Sequence, residues 1–565
     1  MPHATGELTS PVAAKGDKAQ SPVWERPLGD SELSYFLPSR HEGINDMFVH
    51  IGFHAPPALF TPDRVAAVWA VLRTRHPLLG ARIDPRSYDD VRFVYSPPKS
   101  AAAAIASARD NMEFRVQSKD DLVNTYLNGP RTLSNDRLSY VVVATPHDTP
   151  DFPYAAPNNS FAPSLANLTL LPPMPSLQNT VDGPGQEFHF LLAAPHCLGD
   201  GMALYRMSDE FFEMLASDKT DAQLKELVHL EWERAVAGAE EATCPIPEPL
   251  EARMPEPSSR LASAFEKVDY VRSQDRLIGG HSFPRPKSKL GPRHIVFPTY
   301  AFSAEKSKKV IKTCKAHGVS FSHALFALCN LAWARIKRGE NVEQPMMMYS
   351  ALNLRPYLPP SESLSYWFLS IGYFNVVLPS FFPRDLPDAE RRIFWHRALQ
   401  AKRQTSKYVG SPFLLGRSRQ MGTERAKRAK TWAKEDDAVF NGLGNAAVQP
   451  KAPTVPAVSV TPAGDAKPVP APAPAPKKPP SVALVGLSLL GDLDRVFHHD
   501  RYPSVRLHAL TPGSRVRGGG TLLFGYTFAG KLWLNLPWDA NGFDRSVIES
   551  FWDGLVRGVN ELLLE

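Results

Sequence analysis

The sequence predicts an α/β protein in which one α/β unit is built twice around a shared cleft. Three observations carry that prediction. Phe188 to Ala194 (FHFLLAA) is apolar at odd and even positions alike, as expected of a strand buried on both faces, and helical spacing returns at Leu204, Met207, Phe211, Phe212 and Leu215. From residue 291 onward, strand-like runs (HIVFPTYAF, MMMYSALNLRPYL, SIGYFNVVLP) again alternate with helical stretches. Between the two halves, residues 236 to 290 are rich in Pro, Ser and charge and read as a crossover linker.

Residues 1–23 are small and polar and read as a disordered tail. The first unit spans 24–235. MFVHIGF (Met47 to Phe53) is a strand, and Thr61 caps a helix with Pro62 in its first turn and Asp63 near its positive end. Val65, Val68, Trp69 and Leu72 form that helix's buried stripe, and His76-Pro77 ends it. ARIDPRSYDDVRFVY reads as a hairpin, Leu138 to Ala144 as a strand, and the Pro/Asn/Ser/Asp-rich residues 146 to 183 as a surface loop.

The second unit spans 291–565. Its helices around Glu305 to Ala316 and Ser320 to Ile336 are separated by Gly318, and the second is apolar nearly all round, so it is placed in the core. His323, near that helix's start, reads as a core or capping histidine. A helix from about Pro387 to Tyr408 leads to a basic segment with Arg417, Arg419, Arg425, Lys427, Arg428, Lys430 and Lys434. Its plain reading is a solvated face, and its functional reading an anion-attracting rim. Residues 441–480 lose periodicity and become Pro/Ala-rich, a disordered, polyproline-like spacer interrupting the unit. The fold resumes with SVALVGLSLLGDL and a hairpin turning at Ala529-Gly530. Asp544 then caps a final helix striped by Val547, Ile548, Phe551, Trp552, Leu555, Val559 and Leu562.

Composition narrows the function classes. Hydrophobic residues make up 43% and charged residues 22%, ordinary values for a soluble globular chain. A net charge of +6 over 565 residues is too small to indicate a nucleic-acid binder. The four cysteines (Cys197, Cys244, Cys314, Cys329) show neither zinc-site nor C-x-x-C spacing, which favours free thiols in a reducing, cytoplasmic setting. The N-terminus lacks an apolar signal region, and no run of eighteen apolar residues suggests a membrane span.

The stretch with chemical content follows Pro195, which cannot donate to a sheet ladder and ends the buried strand. His196, Cys197, Leu198, Gly199, Asp200 and Gly201 spell H-x-x-x-D-G. A histidine lifted off a central strand into a turn stands where a catalytic base belongs, although a satisfied structural histidine is the plainer alternative. Asp200 is placed to cap the helix beginning at Gly201. Cys197 borders the base, but neighbours on an extended backbone point apart, which weakens a cysteine-nucleophile reading. Ser488 in GLSLLG misses the G-x-S-x-G elbow because its second glycine comes one residue late.

Together these residues resemble the CoA-dependent acyltransferase superfamily, which includes chloramphenicol acetyltransferase, plant BAHD acyltransferases and the condensation domains of peptide synthetases. The opening RPLGDSELSYFLPSR…GINDMF and the segment RHPLLGARI, with NLRPYL, SLLGDL and the terminal hairpin and helix in the same order, look closest to fungal trichothecene-type O-acetyltransferases. The resemblance covers residues 24 to 565 apart from the Pro/Ala tract. It implies two chloramphenicol-acetyltransferase-like subdomains forming a central tunnel, with an acyl-CoA, acetyl-CoA above all, as cosubstrate and a small-molecule alcohol as acceptor. It also implies no metal and no tightly bound cofactor. His196 is then the general base, Asp200 the structural support of its loop through an arginine on a strand of the other unit (Arg355 by position), and Gly201 the turn residue. No oxyanion donor is assigned. Pro195 stands where condensation domains carry a second histidine, and the plant enzymes' D-F-G-W-G is absent. A monomer with a small-molecule alcohol and acyl-CoA as its only partners is the expectation. An acyl-carrier-protein donor and a non-catalytic binding role are the alternatives.

Overall fold

A computed structural model describes residues 22–146, 185–240, 244–286, 291–337, 339–360, 365–383, 388–442 and 480–565. Almost all of the expected N-terminal tail, of the loop at 146–183 and of the Pro/Ala spacer lies outside the described residues.

The first unit is organised on a five-stranded sheet. In spatial order its strands are Arg506–Ser514, Asp46–Ala55, Gln186–Pro195, Tyr140–Thr145 and Met112–Val116. Gln186–Pro195 sits at its centre, antiparallel to both neighbours, with an unbroken ten-residue register from Asp46↔Pro195 to Ala55↔Gln186. On one face Val49, Ile51 and Phe53 pack with Phe188 and Phe190 under Val68, Leu72, Met207 and Phe211 from the helices Pro62–Arg75 and Gly201–Leu215. On the other face Phe48, Leu191 and Ala193 pack under Leu122, Tyr126 and Leu127 of the helix Lys119–Asn128. Cover on both faces is why the central strand carries no polar alternation.

The second unit is a mixed sheet ordered Thr299–Ala301, Lys531–Asn535, Leu522–Phe528, Ser481–Asp492, Met346–Asn353 and Ile371–Leu378, with the short strand Gly279–Gly280 added against Ser481–Asp492. Phe321–Lys337 and Arg545–Val559 supply its helical layer, with Leu325, Leu328, Trp333, Ile548, Phe551 and Leu555 buried.

Local expectations hold where the signal is local. Thr61 accepts a hydrogen bond from Arg64 N, and Asp544 from Ser546 N and Val547 N. The hairpin joining Leu522–Phe528 to Lys531–Asn535 turns at Ala529 (φ 51°) and Gly530 (φ 70°). The carboxylate of Asp494 accepts both turn amides at 2.7 and 2.9 Å, which holds a non-glycine residue in the left-handed region.

Three features differ from expectation. The strand Arg506–Ser514 belongs by sequence to the second unit but pairs with Asp46–Ala55, so it extends the first unit's sheet. The stretch read as a linker contains a sixteen-residue helix, Arg260–Asp275, with no buried residue. It is held against the protein by ion pairs from Glu266 to Arg419 and from Asp269 to Arg417, so no apolar inward stripe announces it. The strand expected to run from Met346 to Leu358 ends at Asn353, and Arg355 opens a 3-10 turn, Arg355–Tyr357.

Among the described residues no single helix is long and apolar enough to cross a membrane, although the bent pair Ala304–Ala316 and Phe321–Lys337 passes that test by length and composition together. Among the same residues no cluster of three or more His, Cys, Asp or Glu side chains is arranged to hold a metal ion.

Candidate active site at the end of the central strand

Past Pro195 the chain closes a turn, with Leu198 N donating to Pro195 O at 3.0 Å. His196 therefore leaves the sheet while the strand behind it stays clamped on both sides. Its Nδ1 lies 2.9 Å from the carbonyl oxygen of Gly199. A carbonyl can only accept, so Nδ1 carries the proton and the lone pair is left on Nε2, the tautomer a general base requires. The Tyr35 ring stacks on the imidazole, centroids 4.2 Å apart and planes 20° from parallel. Burial lowers the His196 pKa and outweighs the raising influence of Asp200, so the ring is neutral at pH 7. The residue nevertheless keeps part of its surface accessible, as do Tyr349, Tyr373 and Arg425 around it.

Asp200 does a different job. Its Oδ1 accepts Met202 N at 3.1 Å and so caps the helix Gly201–Leu215. Arg355 Nη1 donates to both carboxylate oxygens at 2.8 and 2.7 Å, and Ser370 N donates to Oδ2 at 3.0 Å. The other guanidinium nitrogen, Nη2, bonds the carbonyl oxygens of Phe368 (2.7 Å) and Tyr366 (3.3 Å), and the guanidinium lies over the Phe368 ring at 4.6 Å. Asp200 is 3% exposed, and both of its carboxylate oxygens are hydrogen-bonded inside the protein. The carboxylate thus ties the histidine loop to the second unit.

The glycines are set by packing. A Cβ on Gly201 would stand 3.1–3.3 Å from the Tyr205 ring, and one on Gly199 3.1 Å from Trp367. Neither has a positive φ. A side chain at Gly201 would crowd the Tyr205 phenol, so packing rather than backbone conformation favours glycine there.

The competing nucleophiles lose their case on geometry. Cys197 is buried and its thiol is pushed far above the ordinary range by burial. Ser488 lies inside the strand Ser481–Asp492, paired with Phe524, with no elbow to present its hydroxyl. His323 accepts a hydrogen bond from Ser320 N at 3.2 Å, a helix-capping contact.

Sequence reasoning missed the three tyrosines near the imidazole and named Arg425 only as one of seven basic residues in a candidate anion-attracting rim. Tyr35 comes from the helix Asp30–Ser39, Tyr349 and Tyr373 from adjacent strands of the second unit, and Arg425 from the helix Leu414–Phe440. The hydroxyls of Tyr35 and Tyr373 are in contact across 338 residues of sequence. The alternation of SIGYFNVV, which leaves Tyr373 half-exposed on one face of its strand, was the one signal available.

Two surface concavities, of about 510 Å³ beside Val377 and Gln404 and about 420 Å³ beside Asp494 and His499, lie away from His196. The tunnel expected from the resemblance is not one of them.

No family model matches the chain, and no curated protein matches it in sequence. Solved structures do match in fold. TRI3 trichothecene 15-O-acetyltransferase from Fusarium sporotrichioides superposes with a TM-score of 0.67 over 99% of both chains at 11% identity. The EpoB cyclization-docking bidomain from Sorangium cellulosum gives 0.52 over 96% of this chain and 85% of its own at 12% identity. The first condensation domain of the CDA synthetase gives 0.51 over 96% of both chains at 10% identity. The chain has the two-unit fold shared by these acyltransferase and condensation proteins.

Proposed function

We propose that this protein is an acyl-CoA-dependent O-acyltransferase, acetyl being the favoured group, that acylates a hydroxyl of a small molecule, a secondary metabolite by analogy with the TRI3 likeness. The observation that carries the reading is His196: a neutral imidazole at the end of the central strand with Nδ1–H committed to Gly199 O and no hydrogen-bond partner for Nε2 among the described residues. An alcohol is a poor nucleophile until its proton is removed during attack, and a positioned histidine meets that need at neutral pH. In the proposed step Nε2 takes the hydroxyl proton as the oxygen bonds to the thioester carbonyl carbon. The tetrahedral intermediate collapses with loss of thiolate, which recovers the proton from the imidazolium. No acyl-enzyme forms. Asp200 and Arg355 act as positioning residues, holding the loop that aims the imidazole.

The test is release of free thiol from acetyl-CoA in the presence of a panel of alcohols, repeated with an acyl-carrier-protein donor. His196→Ala is expected to lower turnover by about 10²–10⁴-fold while the protein melts as wild type. Near-wild-type turnover in a folded variant removes the assignment. Thiol release from the carrier donor alone would identify the donor as a carrier protein, and no release from either would favour a non-catalytic role.

A further inference from the structure

The basic stretch Arg417 to Lys434 divides in the folded chain. Arg417 pairs with Asp269, Arg419 with Glu266, Lys427 with Glu424 and Lys430 with Asp89. Arg425, Arg428 and Lys434 have no carboxylate ion pair among the described residues, but Arg428 and Lys434 are exposed, whereas Arg425 sits among the phenols of Tyr373, Tyr35 and Tyr349 and hydrogen-bonds the first of them. Its guanidinium carbon lies 4.6 Å from the centre of the Tyr373 ring and 5.1 Å from that of Tyr35. Tyr349 meets Tyr373 edge-on at 6.3 Å. Tyr35 is also the ring stacked on His196. A permanent cation therefore stands two ring contacts from the candidate base, walled by three tyrosines, and part of its surface stays accessible. Burial pushes the Tyr35 and Tyr349 phenols up, so they do not supply a negative charge at neutral pH.

Charges withdrawn from water ordinarily meet a counter-ion, and ring faces offset only part of the cost of desolvating a guanidinium. Its planar fork of donors matches a carboxylate. The phosphates of CoA are excluded as the intended anion, because a whole pantetheine arm separates them from the thioester sulfur. We propose that Arg425 is a carboxylate-binding residue of this site. The molecule acylated, or the acyl group delivered, carries a carboxylate within a small molecule's length of the reacting carbonyl. This inference rests on acyl transfer at His196.

The experiment separates the two sources of carboxylate. In the acceptor arm, thiol release from acetyl-CoA is followed with 3-hydroxybenzoate and with its methyl ester. In the donor arm it is followed with malonyl-CoA and with propionyl-CoA. Wild type is expected to favour the carboxylate in one arm. Arg425→Met should raise KM for that carboxylate by roughly 10–100-fold, the worth of a charge-assisted pair, and raise KM for the uncharged analogue far less. Arg425→Lys should recover part of the preference, which a role in packing alone would not predict.

A wild type that cleaves thioesters in a His196-dependent way without preference in either arm overturns the inference and leaves acyl transfer standing. An Arg425→Met variant that folds and keeps the preference overturns it equally. If no thioester is cleaved, the acyl-transfer reading falls, and thermal shift with benzoate against methyl benzoate decides the carboxylate site. A rise in melting temperature with benzoate that is lost in Arg425→Met upholds it, and no rise in wild type refutes it.

Discussion

The contact most open to quantitative attack is the one between Asp200 and Arg355. The side chains are 4% and 13% exposed, and the pair is closed by two charge-assisted hydrogen bonds below 3 Å. Removing one partner strands the other's charge, which costs about 3–5 kcal/mol in comparable buried pairs. Asp200→Asn keeps an oxygen able to cap the helix at Met202 and should fall in that range. Asp200→Ala also loses the cap and should cost about 1 kcal/mol more. Arg355→Met should cost a similar amount, because the stranded carboxylate keeps the amides of Met202 and Ser370 just as a stranded guanidinium keeps the carbonyls of Phe368 and Tyr366. The double variant Asp200→Asn/Arg355→Met removes both charges and should be more stable than the two single losses summed.

The assay is urea unfolding at 25 °C followed by tryptophan fluorescence. Trp367, directly behind Gly199, reports on the loop. A coupling energy above roughly 2 kcal/mol in the double-mutant cycle is the expected result. Additivity within about 0.5 kcal/mol would show that the pair does not fasten the two units. Activity measured on the folded fraction supplies a second check. If Asp200→Asn lost turnover with its stability intact, the carboxylate would be acting on the chemistry and the positioning role would be wrong.

The remaining predictions concern protons. Because burial depresses the His196 pKa, kcat/KM should lose activity only as pH falls below the ordinary histidine value of about 6.5; an acid limb above 7 would contradict the assignment. Tyr35→Ala, which lets water reach the stacked face of the imidazole, should move that limb toward higher pH, and an unmoved limb would mean that Tyr35 does not control the ring's environment. Stability should fall in acid for a separate reason. His50, His189 and His508 share one face of the first sheet, with depressed pKa values, about 4 for His189 and about 3 for His508, caused chiefly by burial. The unfolded chain therefore binds protons first: no penalty exists above about pH 6.5, and it grows as pH falls toward 4, by up to roughly 1.4 kcal/mol per pH unit for each histidine. His189→Gln should flatten that acid slope, and an unchanged slope would refute the argument.

The legible part of the site was its local part. The doubly apolar strand, the proline that ends it and the helix that follows are readable because each rests on neighbours in sequence. What could not be read depends on partners far away. Arg506–Ser514 contains Pro512 and Gly513, residues that argue for a turn. It is tolerated as a strand because it lies at the sheet's edge, where a missing N–H costs least. The helix Arg260–Asp275 faces the protein with carboxylates, the reverse of the stripe a periodicity reading looks for. Arg425 is one basic residue among seven in its segment, and no pattern within that segment marks the one that turns inward. Only the packing of a helix against Tyr35 and Tyr373 does so.

Those distant partners tie the two units together at the histidine loop. The strand ending in His196 is held by Asp46–Ala55, and that strand is held in turn by Arg506–Ser514, whose junction is pinned by Asn45 N to Arg515 O and Arg515 N to Asp46 O at 2.9 Å each. The loop after His196 is held by Arg355 and by the amide of Ser370. Its face is covered by Tyr35, which itself meets Tyr373 and Arg425. Sequence from both halves is thus required before the imidazole has a fixed direction and a depressed pKa. The strand Arg506–Ser514, paired across the two units, and the buried ion pair are the means by which the fold fixes the direction of the His196 ring and withdraws it from water.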